Sequence, residues 1–184
     1  YLMVTNSFKT KQEIFTNPLK FPEAFTFENY PEAFRQLDFI RTLANSLLIT
    51  VSSVIIIVIF SAMAAYALER IKSKFSTITF MVFVAAMLVP FQSVMIPLVA
   101  LFGKAQMLNQ IGIIFMYLGF GGSMSIFLYH GAMKSIPRAL DEAAIIDGAS
   151  RWQVFWKVIF PMLKPTTVTV AVLNTMWIWN DYLL

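Results

Sequence analysis

The sequence has no cysteine, which excludes a disulfide framework, a thiolate metal site and a cysteine nucleophile. Charge is scarce as well. Asp, Glu, Lys and Arg together make up 13% of the 184 residues, against 58% hydrophobic ones. A soluble domain carries about 25% charged residues, so most of this chain faces something other than water. There is no GxxxxGK[ST] loop or other phosphate cradle, so the chain does not bind ATP by itself. No catalytic residue, cofactor or metal ion is expected, and the chain is not read as an enzyme. The net charge of +4 is small, and no basic stripe with interleaved aromatics marks a nucleic-acid surface. No signal peptide is visible in these residues, since a charged n-region and a cleavage site are both missing from them. The opening on Tyr1 and the close inside an apolar run at Leu184 are expected of a segment of a longer protein.

Uncharged runs are what the chain has in place of charge. Leu43–Leu68 contains no Asp, Glu, Lys or Arg. As a helix it is roughly 39 Å long, enough to cross a ~30 Å hydrocarbon core. Ser46, Ser52, Ser53, Ser61, Ala64 and Ala65 are small residues that permit close helix approach. A second run, Thr77–Phe102, carries Pro90, Gln92 and Pro97. Each proline deletes a backbone bond and kinks or breaks the helix, so this is either a bent packing helix or a broken segment lining a path. The third run holds Gly119, Gly121 and Gly122 and ends at the single histidine, His130. His130 is expected to be interfacial, because no carboxylate lies near it in sequence. A fourth run is apolar apart from Asn174, Asn180 and Asp181. The expected spans are therefore residues 43–68, 77–102, 111–130 and 166–184, within a single membrane domain over residues 1–184. From Thr5 to about Ile40 the chain is mixed and rich in aromatics, which suits an ordered loop lying along a membrane interface.

Orientation follows from the short loops. Glu69–Phe75 carries three basic residues, Phe102–Ile111 one, and the stretch over residues 134–165 five. Basic residues favour the cytoplasmic side, so the first and third of these are expected inside and the second outside. The complete spans hold no ionisable residue to bind a driving ion. Work is expected to arrive mechanically, from a partner.

The stretch from Pro137 to Pro165 is written as two short helices around a glycine corner. Ser135 is an N-cap candidate and Pro137 fits an early helical position. Asp141 and Glu142 then lie near the positive end of the dipole. Gly148 is the expected C′ residue. Ser150 and Gln153 form an S-x-x-Q capping box that starts a second helix. Trp152, Phe155, Trp156 and Ile159 recur at helical spacing as one apolar stripe, and Pro161 is expected to end the run. Such an amphipathic elbow fits either of two roles: a helix pair lying in the membrane headgroups, or a docking surface for a soluble partner.

Residue order separates the two. Glu142-Ala143-Ala144, three residues, Gly148, nine residues, then Val158-x-Phe160-Pro161 closely resembles the EAA loop of the membrane subunits of ABC importers. Phe160 departs from the usual leucine but stays apolar. Ser7-Phe8-Lys9, Glu13-Ile14-Phe15, Glu28-Asn29-Tyr30, Asn45-Ser46-Leu47, Ala64-Ala65-Tyr66-Ala67-Leu68 and Trp179-Asn180-Asp181-Tyr182 look like the carbohydrate branch of these permeases, the group related to the smaller maltose permease subunit. The resemblance implies an all-α membrane protein, a multi-span bundle of the type I importer permease kind with a cytoplasmic coupling elbow. It further implies a cytoplasmic-membrane location and a second permease, two ATP-binding cassette subunits, an extracytoplasmic solute-binding protein and a sugar as partners, besides membrane lipid. The expected coupling residues are Glu142, Ala143, Ala144, Asp147, Gly148 and Pro161, with Glu142 projecting toward a basic residue of the ATPase.

Substrate contacts are expected among neutral polar groups at membrane depth: Gln92, Asn174 and Asn180. Each of them equally suits a bond to a neighbouring helix. A permease for another solute with the same elbow, and a membrane scaffold whose elbow rests in the headgroups, are the competing functions.

Overall fold

The computed structural model describes residues 1–181, so Tyr182 and the end of the fourth apolar run lie outside the described residues. Two compact units are present, Tyr1–Leu47 and Leu48–Leu184. In the first, the expected loop contains three short helices, α1 (Leu2–Ser7), α2 (Lys11–Thr16) and α3 (Asn29–Gln36). Side chains that bond backbone groups hold them. The Glu13 N–H donates to Thr10 Oγ1 and caps α2. The Asn29 amide donates to the carbonyls of Ser7 and Lys9 at 3.0 and 2.7 Å. Lys9 is fully buried, and its ammonium donates to the carbonyls of Asn17 and Pro18. Phe8 meets the rings of Phe25, Phe27 and Tyr30, so part of the aromatic content forms a local cluster.

The long helix α4 (Phe39–Arg70) extends the first expected span at both ends, to roughly 48 Å. After the Ser73 N-cap comes α5 (Lys74–Ala86), then α6 (Phe91–Lys104). These two replace the single expected run, with a bend of 102° between them. The cause is local: Pro90 is extended, and a residue before proline is pushed out of helical geometry. Pro97, by contrast, is accommodated inside α6. The third run is α7 (Gln110–Lys134), opened by Asn109, whose side chain accepts from the N–H groups of Ile111 and Gly112. By length and composition α4 and α7 can each cross a membrane, and the bent pairs add up to two more spans if each crosses as one.

After α7 come α8 (Ala139–Ile146), α9 (Arg151–Val154), a π-helical turn (Phe155–Ile159), α10 (Phe160–Met162) and α11 (Lys164–Trp179). Pro161 does not end the helix as expected. It lacks an N–H and crowds the carbonyl four residues back, and the widened π turn immediately before it accommodates that missing bond. The chain bends by 76° only after Met162. Ser135 likewise closes α7 instead of opening the next helix, and α8 starts without a side-chain cap.

The core of the second unit joins Ile57, Ala62 and Ala65 of α4 with Tyr129 and Met133 of α7 and Val170 and Ile178 of α11. Small residues set the spacing. Ser61 Oγ donates to the Gly122 carbonyl at 3.5 Å. At Gly121 an added Cβ would collide with Asn174 Oδ1 and the tip of Ile57. Asn174 cannot swing aside freely, because its amide donates to Ser125 Oγ and to the Val170 carbonyl. Gly121→Val is therefore expected to lower stability by about 1–3 kcal/mol, read as a drop in thermal midpoint of the detergent-solubilised protein. Gly119→Ala, where a Cβ meets open space, should leave that midpoint nearly unchanged.

Candidate functional site

The corner between α8 and α9 is built as its sequence demands. Gly148 takes φ +87°, the left-handed region that only glycine enters at little cost. Its N–H donates to the Ile145 carbonyl, and the Ala149 N–H to the Ala144 carbonyl, both at 3.0 Å. This pair of bonds is a Schellman closure of α8. No atom lies within 4 Å of a Cβ built on Gly148, so its requirement is one of backbone conformation, not space. The Ser150–Gln153 capping box is complete in both directions.

α8 has two faces. Outward stand Glu142, Ala143 and Asp147, with Ile146 85% exposed. Inward, Ala144 packs against the core and Asp141 is buried. On the second helix the buried residues are Val154, Phe155 and Ile159, while Trp156 is half-buried and Trp152 is 59% exposed. The expected stripe thus holds at Phe155 and Ile159, while Val154 is buried in place of Trp152. Trp152, Trp156 and Phe160 meet edge to face in succession along the helix, at centroid distances of 5.7 and 5.0 Å. Pro161 is exposed at the end of this segment.

What the local pattern did not reveal is how α8 is held. Asp141 Oδ2 lies 2.8 Å from an Arg70 terminal nitrogen, while its Oδ1 accepts from Tyr66 Oη at 2.8 Å and Arg70 Nε at 3.3 Å. The Arg70 guanidinium also donates to the Ile136 carbonyl. Both partner side chains are nearly out of water, 13% and 12% exposed. Tyr66 is shared, since its ring meets that of Phe155 at 5.3 Å. A second set lies beside it. Arg138 donates to the Glu69 carbonyl at 2.5 Å, and the Glu69 carboxylate lies 3.2 Å from His130 Nε2. His130 therefore has a carboxylate neighbour after all, brought from α4 by the fold, and it also stacks on Phe80 at 3.9 Å. The last turn of α4 thus grips the start of α8 and the end of α7 by charge-assisted bonds, the stronger class.

Chemically, the arrangement is an ion-paired seat for one face of a short helix. One face of a short helix is tied through ions to the end of a membrane-length helix, and the opposite face is bare. The clue in the sequence was the pair Glu69-Arg70 closing a charge-free run, together with an acid at 141 one position before Glu142. Of the three neutral polar candidates, Asn174 bonds Ser125 across to α7. Gln92 is exposed near the start of α6, and the exposed Asn180 amide donates to the Met176 carbonyl on its own helix. The structure does not bring these three together. Asn174 does line a cavity of about 270 Å³ beside the α5–α6 break, with Phe91, Phe120 and Trp177.

Removing one partner of a buried ion pair leaves the other charge stranded, at about 3–5 kcal/mol. Asp141→Ala and Arg70→Ala should each destabilise the protein, and the double variant by less than their sum. A double-mutant cycle on thermal unfolding should return a coupling of about 1–3 kcal/mol; additive effects would mean that the contact carries no energy.

Residues 57–184 match the family described as the binding-protein-dependent transport system inner membrane component. The chain is 57% identical over 184 residues to the probable starch degradation products transport system permease protein AmyC of Thermoanaerobacterium thermosulfurigenes, covering 100% of this chain and 67% of that one. It is 38% identical to the multiple sugar-binding transport system permease protein MsmG of Streptococcus mutans, covering 100% of this chain and 68% of the relative. In fold it matches a chain in the crystal structure of a bacterial ABC transporter involved in the import of the acidic polysaccharide alginate. That match has a TM-score of 0.81 at 26% identity, over 98% of this chain and 64% of the other. The chain spans about two thirds of the length of these proteins. With the family matched over most of its length and an all-helical fold shared with an importer permease, this chain belongs to the binding-protein-dependent transport system inner membrane components.

Proposed function

We propose that the chain is a membrane-spanning subunit of an ATP-driven sugar importer, forming half of the translocation path, with residues 134–165 as its cytoplasmic coupling elbow. The observation that carries this is the two-sidedness of α8, with Asp141 bound to the end of α4 and Glu142, Ala143 and Asp147 left facing outward. An ATPase subunit that closes on nucleotide would push the bare face. The Arg70–Asp141 and Arg138–Glu69 contacts would then carry the displacement into α4 as a rigid-body shift. The partners follow from that role: two ATP-binding cassette subunits on the inside, a second permease beside this one, and a solute-binding protein outside. The basic residues of the 69–75 and 134–165 stretches favour the same orientation.

The sugar cargo is supported by the starch-product and multiple-sugar names of the similar permeases. The cavity beside the α5–α6 break has the chemistry for it, an amide from Asn174 among the rings of Phe91, Phe120 and Trp177.

In the reconstituted transporter, Glu142→Ala is expected to leave membrane insertion and ATP hydrolysis in place while sugar uptake per ATP falls about tenfold, a typical size for coupling between sites. At the corner, Gly148→Asn should behave almost as the original, because Asn tolerates the left-handed region. Gly148→Val should uncouple hydrolysis from uptake through backbone strain, and Gly148→Asp through a second negative charge beside Asp147 at the carbonyl end of α8. Normal uptake in the Glu142→Ala and Gly148→Asp variants would point instead to an elbow that rests in the headgroups. Normal transport of a different solute class would keep the mechanism and change the cargo.

A further inference from the structure

The ends of α4, α5 and α7 surround an open cavity of about 710 Å³ that the coupling mechanism does not use. Lys72, Lys74 and Lys134 stand on its rim, all exposed. Glu69 is the sole carboxylate among the lining residues, and it is already engaged by His130 and Arg138. Three lysines thus line one cavity with no ion-pair partner among the described residues. The cavity continues onto an apolar wall, where Ile78 and Met81 are 63% and 58% exposed on one side of α5. Its depth is fixed by the flanking helices: the charge-free stretch of α4 ends at Glu69 and that of α5 begins after Lys74. The rim therefore lies at the headgroup level of a membrane protein, and the wall below it at the level of acyl chains.

We propose that this cavity binds an anionic phospholipid, its phosphodiester among Lys72, Lys74 and Lys134 and an acyl chain along Ile78 and Met81. A basic pocket between membrane helices selects acidic headgroups. A zwitterionic lipid would bring its own cation against three ammonium groups. Free inorganic phosphate offers the same anion but nothing for the apolar wall.

The test uses the intact transporter with all its subunits, exchanged into phosphatidylglycerol or phosphatidylcholine and examined by native mass spectrometry. Phosphatidylglycerol should be retained in preference to phosphatidylcholine. Lys72→Gln/Lys74→Gln/Lys134→Gln should weaken its hold about a hundredfold, at about fivefold per surface lysine. Lys104→Gln, remote from this cavity, should leave retention unchanged. Ile78→Gln should weaken retention without altering the charges, and excess inorganic phosphate should not displace the lipid. Three results would overturn the proposal. They are equal retention of the two lipids, unchanged retention in the triple variant, as when a protein partner covers the cavity, and displacement by phosphate.

Discussion

The carboxylate of Asp141, held by Arg70 and Tyr66, is the constraint on which the rest of the second unit depends. An ion pair this far from water loses solvation on both sides, and it survives only where further hydrogen bonds complete each group. Here they do. Asp141 accepts from two residues, and Arg70 donates onward to the Ile136 carbonyl. The contrast with Lys11–Glu32 is instructive. There the side chains are 77% and 49% exposed, and such a surface pair is worth only about 0–1 kcal/mol. Because the Asp141 contact is directional and nearly dry, α8 has one seat on α4.

From that seat the geometry runs inward. α4 meets α7 through Ser61 and the Gly121–Gly122 step, and α11 meets the same step through Asn174. Such close approach leaves little room for sliding, so on the proposed function a displacement at the elbow would be transmitted as movement of whole helices. The π turn at Phe155–Ile159 serves the same end. It lets the second helix of the elbow run on past Pro161 and deliver its bend at Leu163, where α11 begins. On the proposed function, this places the force-bearing corner and the start of a membrane helix on one continuous rod.

The elements set by short-range rules could be read from the residues alone. Gly148, the Ser150–Gln153 box, the proline break in the second apolar run and the existence of α4 and α7 all follow from spacing within one or two turns. The contacts that join elements could not. Arg70 and Asp141 are 71 positions apart, and a basic residue after a charge-free span reads equally well as an orientation signal. The same holds for His130, whose carboxylate neighbour comes from another helix. Pro161 was misleading because helix-ending is only one response to a missing N–H; a π turn is another. The first unit contains short helices where polar and aromatic residues suggested a loop; Thr10 caps one of them locally, while Asn29 bonds carbonyls 20 and 22 positions away, beyond the reach of local patterns.

The most direct test is site-specific cross-linking from Ala143→Cys, the only thiol these 184 residues would then contain. In native membranes with the full transporter, the outward face of α8 should form an adduct with a nucleotide-hydrolysing subunit, reachable from the cytoplasmic side and changed in yield by ATP. Labelling of that cysteine from the external side, or adducts with lipid alone, would contradict the account.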